Sequence, residues 1–598
     1  MVSPRPLGLL ACLLATASLA TQAEAAGRPN SGAAHVATAS ADARFLALAD
    51  AEWAWRQAQL GYAVNSDRPI YRLPDVSPPA QDARTARWEA TRRALDAIDP
   101  ARLSPAMQVN YAVYRYQITT LLSAQHFREY EKPLNSDTTF WGDLADTART
   151  PFRNEAEARA YIAMLHQIPR YFAQQMANMK AGLARGFTAP RVTLQGRDAS
   201  LLPVVEAKSV DANPWFAPFL TLPATIPADR AESLRQDARA AITADVVPAH
   251  RALLQYLRQD YLPHAQPRLD ALSLPDGRAY YQAQIREYTT LDLSPEEIHR
   301  IGLEEVAAIR AQMQDVMREV GFTGDLPAFL AKLRSDPQFV ASSPQDLLNR
   351  AAWIAKSFDG KAADWFGRLP RKRFAIRPVP DDIAPFYTAG RGGPGVYLVN
   401  TWNLPARQIY SLPALTLHES APGHAFQMSL AAENKGLPGW RANGYISAFG
   451  EGWALYCEKL GVEMGIYTTP YERFGMLSYQ MWRAARLVVD TGIHAKGWTR
   501  AQAQGFLHDN TALSDHEIET ETDRYIAWPG QALSYYLGER AIVAGRARAE
   551  RALGPRFNIR AFHDAVLELG SVPLPVLDAR IDRFIAEGGK GPYPDEER

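Results

Sequence analysis

Along most of the chain, apolar side chains recur at three- to five-residue steps, the pattern of helices that bury one face. The clearest case opens at Ser294-Pro295-Glu296-Glu297, a capping box with proline at the first helical position. It continues through Ile298, Ile301, Val306, Ile309, Met313, Val316 and Val320 and predicts one long amphipathic helix. Similar periodicity predicts helices over 41–62, 82–98, 104–130, 153–186, 228–258, 344–366, 468–496 and 527–551. Strand-like alternation is rare, and its best example is Gly395-Val396-Tyr397-Leu398-Val399-Asn400-Thr401. Before it, Gly390-Arg391-Gly392-Gly393-Pro394 lacks the Gly-Lys-Ser/Thr ending and the following helix of a phosphate loop, and reads as an ordinary loop. The pattern predicts a mostly α protein with a small β element, one helical domain over 41–598.

The first residues follow a different pattern. Arg5 precedes an apolar run over 7–20, shorter than the ~20 residues a bilayer span needs, and Ala23-Glu24-Ala25 offers an A-x-A cleavage site. Residues 1–25 therefore read as a signal peptide and 26–40 as a small, polar, disordered linker. Leu10-Ala11-Cys12 resembles a lipoprotein acylation site, but the apolar run continues past Cys12, and cleavage after Ala25 is preferred. The expected product is exported, periplasmic or secreted, without stable membrane insertion. It keeps one thiol, Cys457, and so forms no internal disulfide.

Composition narrows the partners. The 598 residues carry 65 Lys+Arg against 65 Asp+Glu, so no long-range field draws in nucleic acid or anionic lipid. Arg371-Lys372-Arg373 is a short basic run that reads as a solvated turn.

The informative chemistry lies in Leu417-His418-Glu419-Ser420-Ala421-Pro422-Gly423-His424. In the zincin signature H-E-x-x-H, two imidazoles one turn apart face one metal and the Glu acts on water. Here the second His comes two residues late. On a regular helix that step is about 600°, or 120° off the first face. Pro422 has no N–H for the His418 carbonyl, so the helix must deform. An outward bulge at Pro422-Gly423 is expected to return His424 to the face of His418.

A catalytic zinc usually takes a third protein ligand. Glu451 and Glu458, in Gly450-Glu451-Gly452-Trp453-Ala454-Leu455-Tyr456-Cys457-Glu458, are seven apart, about 700°, and share one helix face. Glu451 sits among Phe449, Gly450 and Trp453, where a bare charge is costly, and is the expected ligand, with Glu458 supporting. Cys457 lies off that face and reads as a buried small hydrophobe.

These segments, with Arg483-Ala484-Ala485-Arg486-Leu487-Val488-Val489-Asp490-Thr491-Gly492-Ile493-His494 and Arg524-Tyr525-Ile526-Ala527-Trp528-Pro529-Gly530-Gln531-Ala532, resemble the bacterial family called domain of unknown function 885 from about residue 45 to 590. Members of that family resemble helical, two-lobed gluzincin peptidases whose metal site opens into a cleft beside a small sheet. Ala425 departs from the pattern, where many relatives carry a further His. The resemblance implies one zinc ion, or another divalent metal such as manganese or cobalt, held by His418, His424 and Glu451, with Glu419 as general base. Tyr535, Tyr536, Tyr525, Arg524 and His494 are candidates to stabilise the oxyanion. Strand 395–401, with Tyr397 and Asn400, is expected to pair with an extended peptide, and Arg391, Arg524 and Gln531 to contact substrate. The expected activity is hydrolysis of short peptides. A zinc amidase on a cell-wall or other non-peptide amide, and a non-catalytic peptide-binding protein, are the alternatives; an intact Glu419 disfavours the last.

Overall fold

Capping residues set where the long helices begin. Ser294 Oγ accepts from the Glu297 amide at 3.2 Å and Glu297 Oε2 accepts from the Ser294 amide at 2.9 Å, closing the predicted box. Thr469 with Glu472 and Ser514 with Glu517 repeat the device. The computed structural model describes residues 40–60, 71–381, 384–442 and 444–593; the signal peptide, Cys12 and all of the linker but Ser40 lie outside them. The helices that build the site are α1 (Gly277–Thr289), α2 (Pro295–Glu319), α3 (Leu412–Glu419), α4 (His424–Glu433), α5 (Ser447–Glu463), α6 (Pro470–Lys496), α7 (Asp515–Ala527) and α8 (Ser534–Leu553). No described helix is long and apolar enough to cross a membrane.

Proline explains where the predicted helices divide. The 153–186 segment becomes Glu155–Leu165 and Ile168–Ala184, because Pro169 cannot donate to the Leu165 carbonyl. The 228–258 segment stays helical to His264, with wide π turns at Ile242–Val246 and Leu257–Tyr261 just ahead of Pro248 and Pro263. Pro529-Gly530 falls inside the predicted 527–551 helix; the chain instead ends α7 at Ala527 and starts α8 at Ser534.

Residues 41–598 pack as one unit around three apolar clusters. One lies within residues 73–265, around Trp141, Tyr161, Phe172 and Trp215. Another surrounds α2 and α6, and the third joins the N-terminal helices to α5 and the last two helices.

The sheet has three strands, β1 (Ala375–Pro378), β2 (Gly390–Gly393) and β3 (Val396–Val399), in the order β1-β3-β2. β1 runs parallel and β2 antiparallel to β3. The predicted strand is therefore central, with both hydrogen-bonding edges used, and cannot add a peptide. That expectation is corrected: the edges of the sheet are β1 and β2, and the glycines of β2 give no side-chain alternation to read. Tyr397 is fully buried with its hydroxyl 3.4 Å from Thr416 Oγ1, and Asn400 donates to the Ala384, Tyr387 and Thr388 carbonyls, so both hold the sheet in place.

α6 is buried on nearly every side and yet carries Arg483, Arg486, Asp490 and His494 at steps of three and four, one polar stripe along a core helix. Three of the four find partners in the last turn of α7 or just after it. Arg486 Nε donates to Tyr525 Oη at 2.9 Å, His494 Nε2 meets the Tyr525 carbonyl at 2.9 Å, and the Gly530 amide donates to Asp490 Oδ2 at 3.1 Å. Tyr281 Oη, from α1, also donates to Asp490 Oδ1 at 2.6 Å. The stripe clamps the α7–α8 connection.

Burial pushes the Asp490 carboxyl up to about 7 against the pull of Tyr281 and Gly530. An acid whose folded value is raised stabilises fully below its unfolded value, and the contribution is lost as pH rises through the folded value. Between pH 4.5 and 8, Asp490→Asn should therefore gain about 3 kcal/mol on the wild type, read from urea unfolding at each pH. A stability difference that stays flat with pH would refute the buried-acid account.

Candidate metal centre

α3 stops at Glu419, and the chain breaks through Ser420, the cis Ala421-Pro422 bond and Gly423 before α4 begins at His424. The expected bulge in one helix is thus corrected to a break between two. Pro422 denies the His418 carbonyl its helical donor, and the Gly423 amide reaches back to the Leu417 carbonyl at 3.0 Å. The two strands of this turn lie so close that a Cβ on Gly423 would sit 1.9 Å from the His418 oxygen. Only glycine fits. Trp453 Nε1, from α5, fixes the break by donating to the Pro422 carbonyl at 2.8 Å.

The break achieves what a regular helix could not. The His418 and His424 rings stand 4.8 Å apart at 84°, with both Nε2 atoms directed at one oxygen of Glu451. Glu451 Oε2 is 3.6 Å from His418 Nε2 and 3.3 Å from His424 Nε2, and the three donor atoms lie within 4.8 Å of one another. Seven residues on, Glu458 is fully buried and its Oε1 lies 2.7 Å from His418 Nδ1. A carboxylate there keeps the proton on Nδ1 and leaves the Nε2 lone pair for a metal. Burial is the largest influence on His418 and lowers its pKa, but Glu451, Glu458 and Glu419 together outweigh it and push the imidazole up to about 10. Burial likewise opposes ionisation of Glu451, and the two imidazoles overcome it and hold the carboxyl well below its usual range. Two imidazoles and a carboxylate, one imidazole backed by a second carboxylate, fit a divalent metal of the zinc type.

Glu419 ends α3 beside the sheet. Its Oε2 accepts from the Gly392 amide at 2.7 Å, and a Cβ on Gly392 would meet the Glu419 carbonyl oxygen at 1.6 Å. In β2 the Gly392 N–H faces outward and Arg391 pairs with β3, so this edge of the sheet is packed on Glu419, beside the metal-binding residues. Arg391 is exposed and, by the alternation of strand side chains, projects from the face opposite Gly392.

The sequence matches the model of the family described as "Bacterial protein of unknown function (DUF885)" over residues 56–581. The chain is a DUF885 protein. Among curated proteins there is no match. A crystal structure of a candidate lipoprotein from Colwellia psychrerythraea is similar at a TM-score of 0.83 and 26% identity, covering 92% of this chain and 100% of that one. A candidate lipoprotein of unknown function from Shewanella oneidensis shares the fold at a TM-score of 0.65 and 17% identity, over 91% of this chain and 99% of that one.

In this DUF885 chain the other expected site residues divide into two groups. Arg524, Gln531 and Tyr535 come together: Arg524 Nη2 donates to Gln531 Oε1 at 2.8 Å and to Tyr535 Oη at 3.2 Å. α8 brings Tyr535 close to the ligand helix, touching α5 backbone to backbone at Gly452 and Gly538, with Ser534 Oγ 2.8 Å from Ser447 Oγ. Tyr536, Tyr525 and His494 are committed elsewhere. Tyr536 Oη donates to Glu305 Oε2 on α2 at 2.8 Å. Tyr525 Oη already accepts from Trp482 and Arg486. His494 is fully buried, accepts the Ala271 amide at Nδ1, meets a carbonyl at Nε2, and is lowered by burial to about 4. These three corrections share one cause, since their polar atoms are bonded to groups outside the donor cluster. Cys457 is fully buried, as expected.

Tyr445 joins the site without a signal in the sequence pattern. Its ring packs over Gly450 and its hydroxyl donates to Glu451 Oε1 at 2.9 Å, while 47% of the residue stays open. It lies outside the helices, where periodicity carries no signal; the glycine one residue before Glu451 was the available clue.

Proposed function

We propose that the protein is a zinc-dependent peptidase that hydrolyses peptide bonds in a cleft between helical lobes of gluzincin type. The observation that carries this reading is the convergence of His418, His424 and Glu451, with Glu419 adjacent and Glu458 behind His418. Zinc, when bound, supplies a Lewis acid for the scissile carbonyl. The Gly392 amide orients Glu419, which takes a proton from the attacking water as its oxygen bonds to the carbonyl carbon. Glu419 then passes that proton to the amide nitrogen as the C–N bond breaks. Tyr535, whose hydroxyl accepts from Arg524 and keeps its own proton, offers a donor for the developing oxyanion.

The same reading places the protein outside the cytoplasm, on the segment 7–20. The description of the Colwellia psychrerythraea protein as a lipoprotein supports acylation at Cys12 as the alternative to cleavage after Ala25. The mass of the mature N-terminus distinguishes a lipid there from cleavage after Ala25.

Elemental analysis of the purified protein should find about one zinc per chain. Hydrolysis of a mixed set of short peptides should disappear with a chelator and return with zinc. A metal-free preparation that still hydrolyses peptides, or a zinc-loaded one that hydrolyses none, would end the proposal.

A further inference from the structure

Three guanidinium groups gather around Tyr535. Arg486 lies 4.3 Å and Arg483 5.9 Å from its ring centroid, and Arg524 donates to its hydroxyl. Arg486 and Arg483 keep only 2% and 5% of their side chains exposed. Their negative partners are few. Glu521 accepts from Arg486 Nη2 at 2.9 Å and approaches Arg524 Nη1 at 3.4 Å. Glu458, 4.0 Å from Arg483 Nη2, is already bonded to His418. Arg483 Nε and Nη1, Arg486 Nη1 and Arg524 Nε are buried with no hydrogen-bond partner among the described residues. Positive charge is therefore in excess where water is scarce, and buried donors stand unpaired, an arrangement that costs stability until an anion arrives.

Tyr535 carries the cluster to the side of the metal-binding residues. Tyr535 follows Ser534, which touches Ser447 one turn before Glu451, and Arg524 keeps 21% of its side chain exposed. Trp482 and Tyr535 sandwich Arg486 at 4.4 and 4.3 Å, and Gln531 and Tyr535 take both Nη2 protons of Arg524, which holds its plane and leaves Nε and one Nη1 proton for an anion.

We propose that Arg524, backed by Arg486 and Arg483, binds the free C-terminal carboxylate of a peptide, so that substrates are read from their C-terminal end. The proposal rests on the reading of the cleft as peptide-binding. It makes the protein an exopeptidase and gives Arg524, Gln531 and Tyr535 a substrate-binding role.

The test is equilibrium binding to zinc-loaded Glu419→Gln protein, which separates recognition from turnover. The probes are N-acetyl-tetraalanine as free acid, the same peptide as C-terminal amide, and N-acetyl-Ala-Ala-Ala-Glu amide. The free acid should bind at least about tenfold tighter than either amide, the yield of one charge-assisted contact. Adding Arg524→Gln should erase the preference, and adding Tyr535→Phe should reduce it, with circular dichroism showing both folded. Equal affinity for acid and amide, an equal gain from the Glu side chain, a preference that survives Arg524→Gln, or no binding of the acid at about 1 mM would each overturn the proposal. The outcomes separate from those of the peptidase reading. Wild-type protein that hydrolyses acid and amide alike keeps the peptidase and loses the carboxylate site. A retained acid preference without hydrolysis does the reverse.

Discussion

Glu419→Gln should keep its metal, bind peptide with little change, and lose at least about 10²-fold in turnover. Glutamine preserves the size of the side chain and still accepts from the Gly392 amide, so the contact at 2.7 Å and the packing of β2 on α3 survive. What it lacks is a lone pair basic enough to take a proton from water. Glu419 is not among the three donor groups that converge within 4.8 Å, so metal content has no reason to fall. The measurement is zinc content, a peptide titration and a hydrolysis assay on one preparation. Undiminished hydrolysis would assign the base to another residue; lost zinc would mean that Glu419 holds the metal.

Much of this site is legible in the sequence because it lies on helices. The seven-residue step from Glu451 to Glu458 fixes both on one face of α5, and the structure uses both, one toward the two imidazoles and one behind His418. The step from His418 to His424 is legible only in part. The missing N–H of Pro422 shows that a regular helix cannot continue, but whether it bulges or breaks depends on Trp453, thirty-one residues away, which holds the Pro422 carbonyl. β2 is invisible to pattern because three of its four residues are glycine, and its place beside Glu419 depends on that same lack of side chains.

Tyr525 and His494 show a second kind of limit. Their residue types suit oxyanion chemistry, and nothing local separates a catalytic Tyr from a clamped one. The difference is made by α6, whose Arg486 and His494 seize the hydroxyl and the carbonyl of Tyr525. A polar stripe on a helix that is otherwise apolar all round announces such clamps, since each buried polar group must find a partner. The stripe is readable, but its partners come from segments 31 to 39 residues away.

Removing a ligand should empty the centre. His424→Ala is the cleaner case, because His424 Nδ1 has no hydrogen-bond partner among the described residues and the substitution strands none of them beyond Glu451. Its zinc should fall to background on dialysis while the helical circular dichroism stays. His418→Ala should lose zinc equally and stability as well, since Glu458 is left as a buried carboxylate whose nearest cation, Arg483, is 4.0 Å away; breaking such a pair costs about 3 kcal/mol or more. Glu458→Gln should fall between these and the wild type. It keeps an acceptor for His418 Nδ1 but makes Nε2 a poorer donor to the metal, so zinc affinity drops by about 10–100-fold without vanishing. Competition titration against a chelator of known affinity resolves the three cases. Full zinc retention by both histidine variants would remove His418 and His424 from the metal centre, and wild-type affinity in Glu458→Gln would reduce Glu458 to a packing residue.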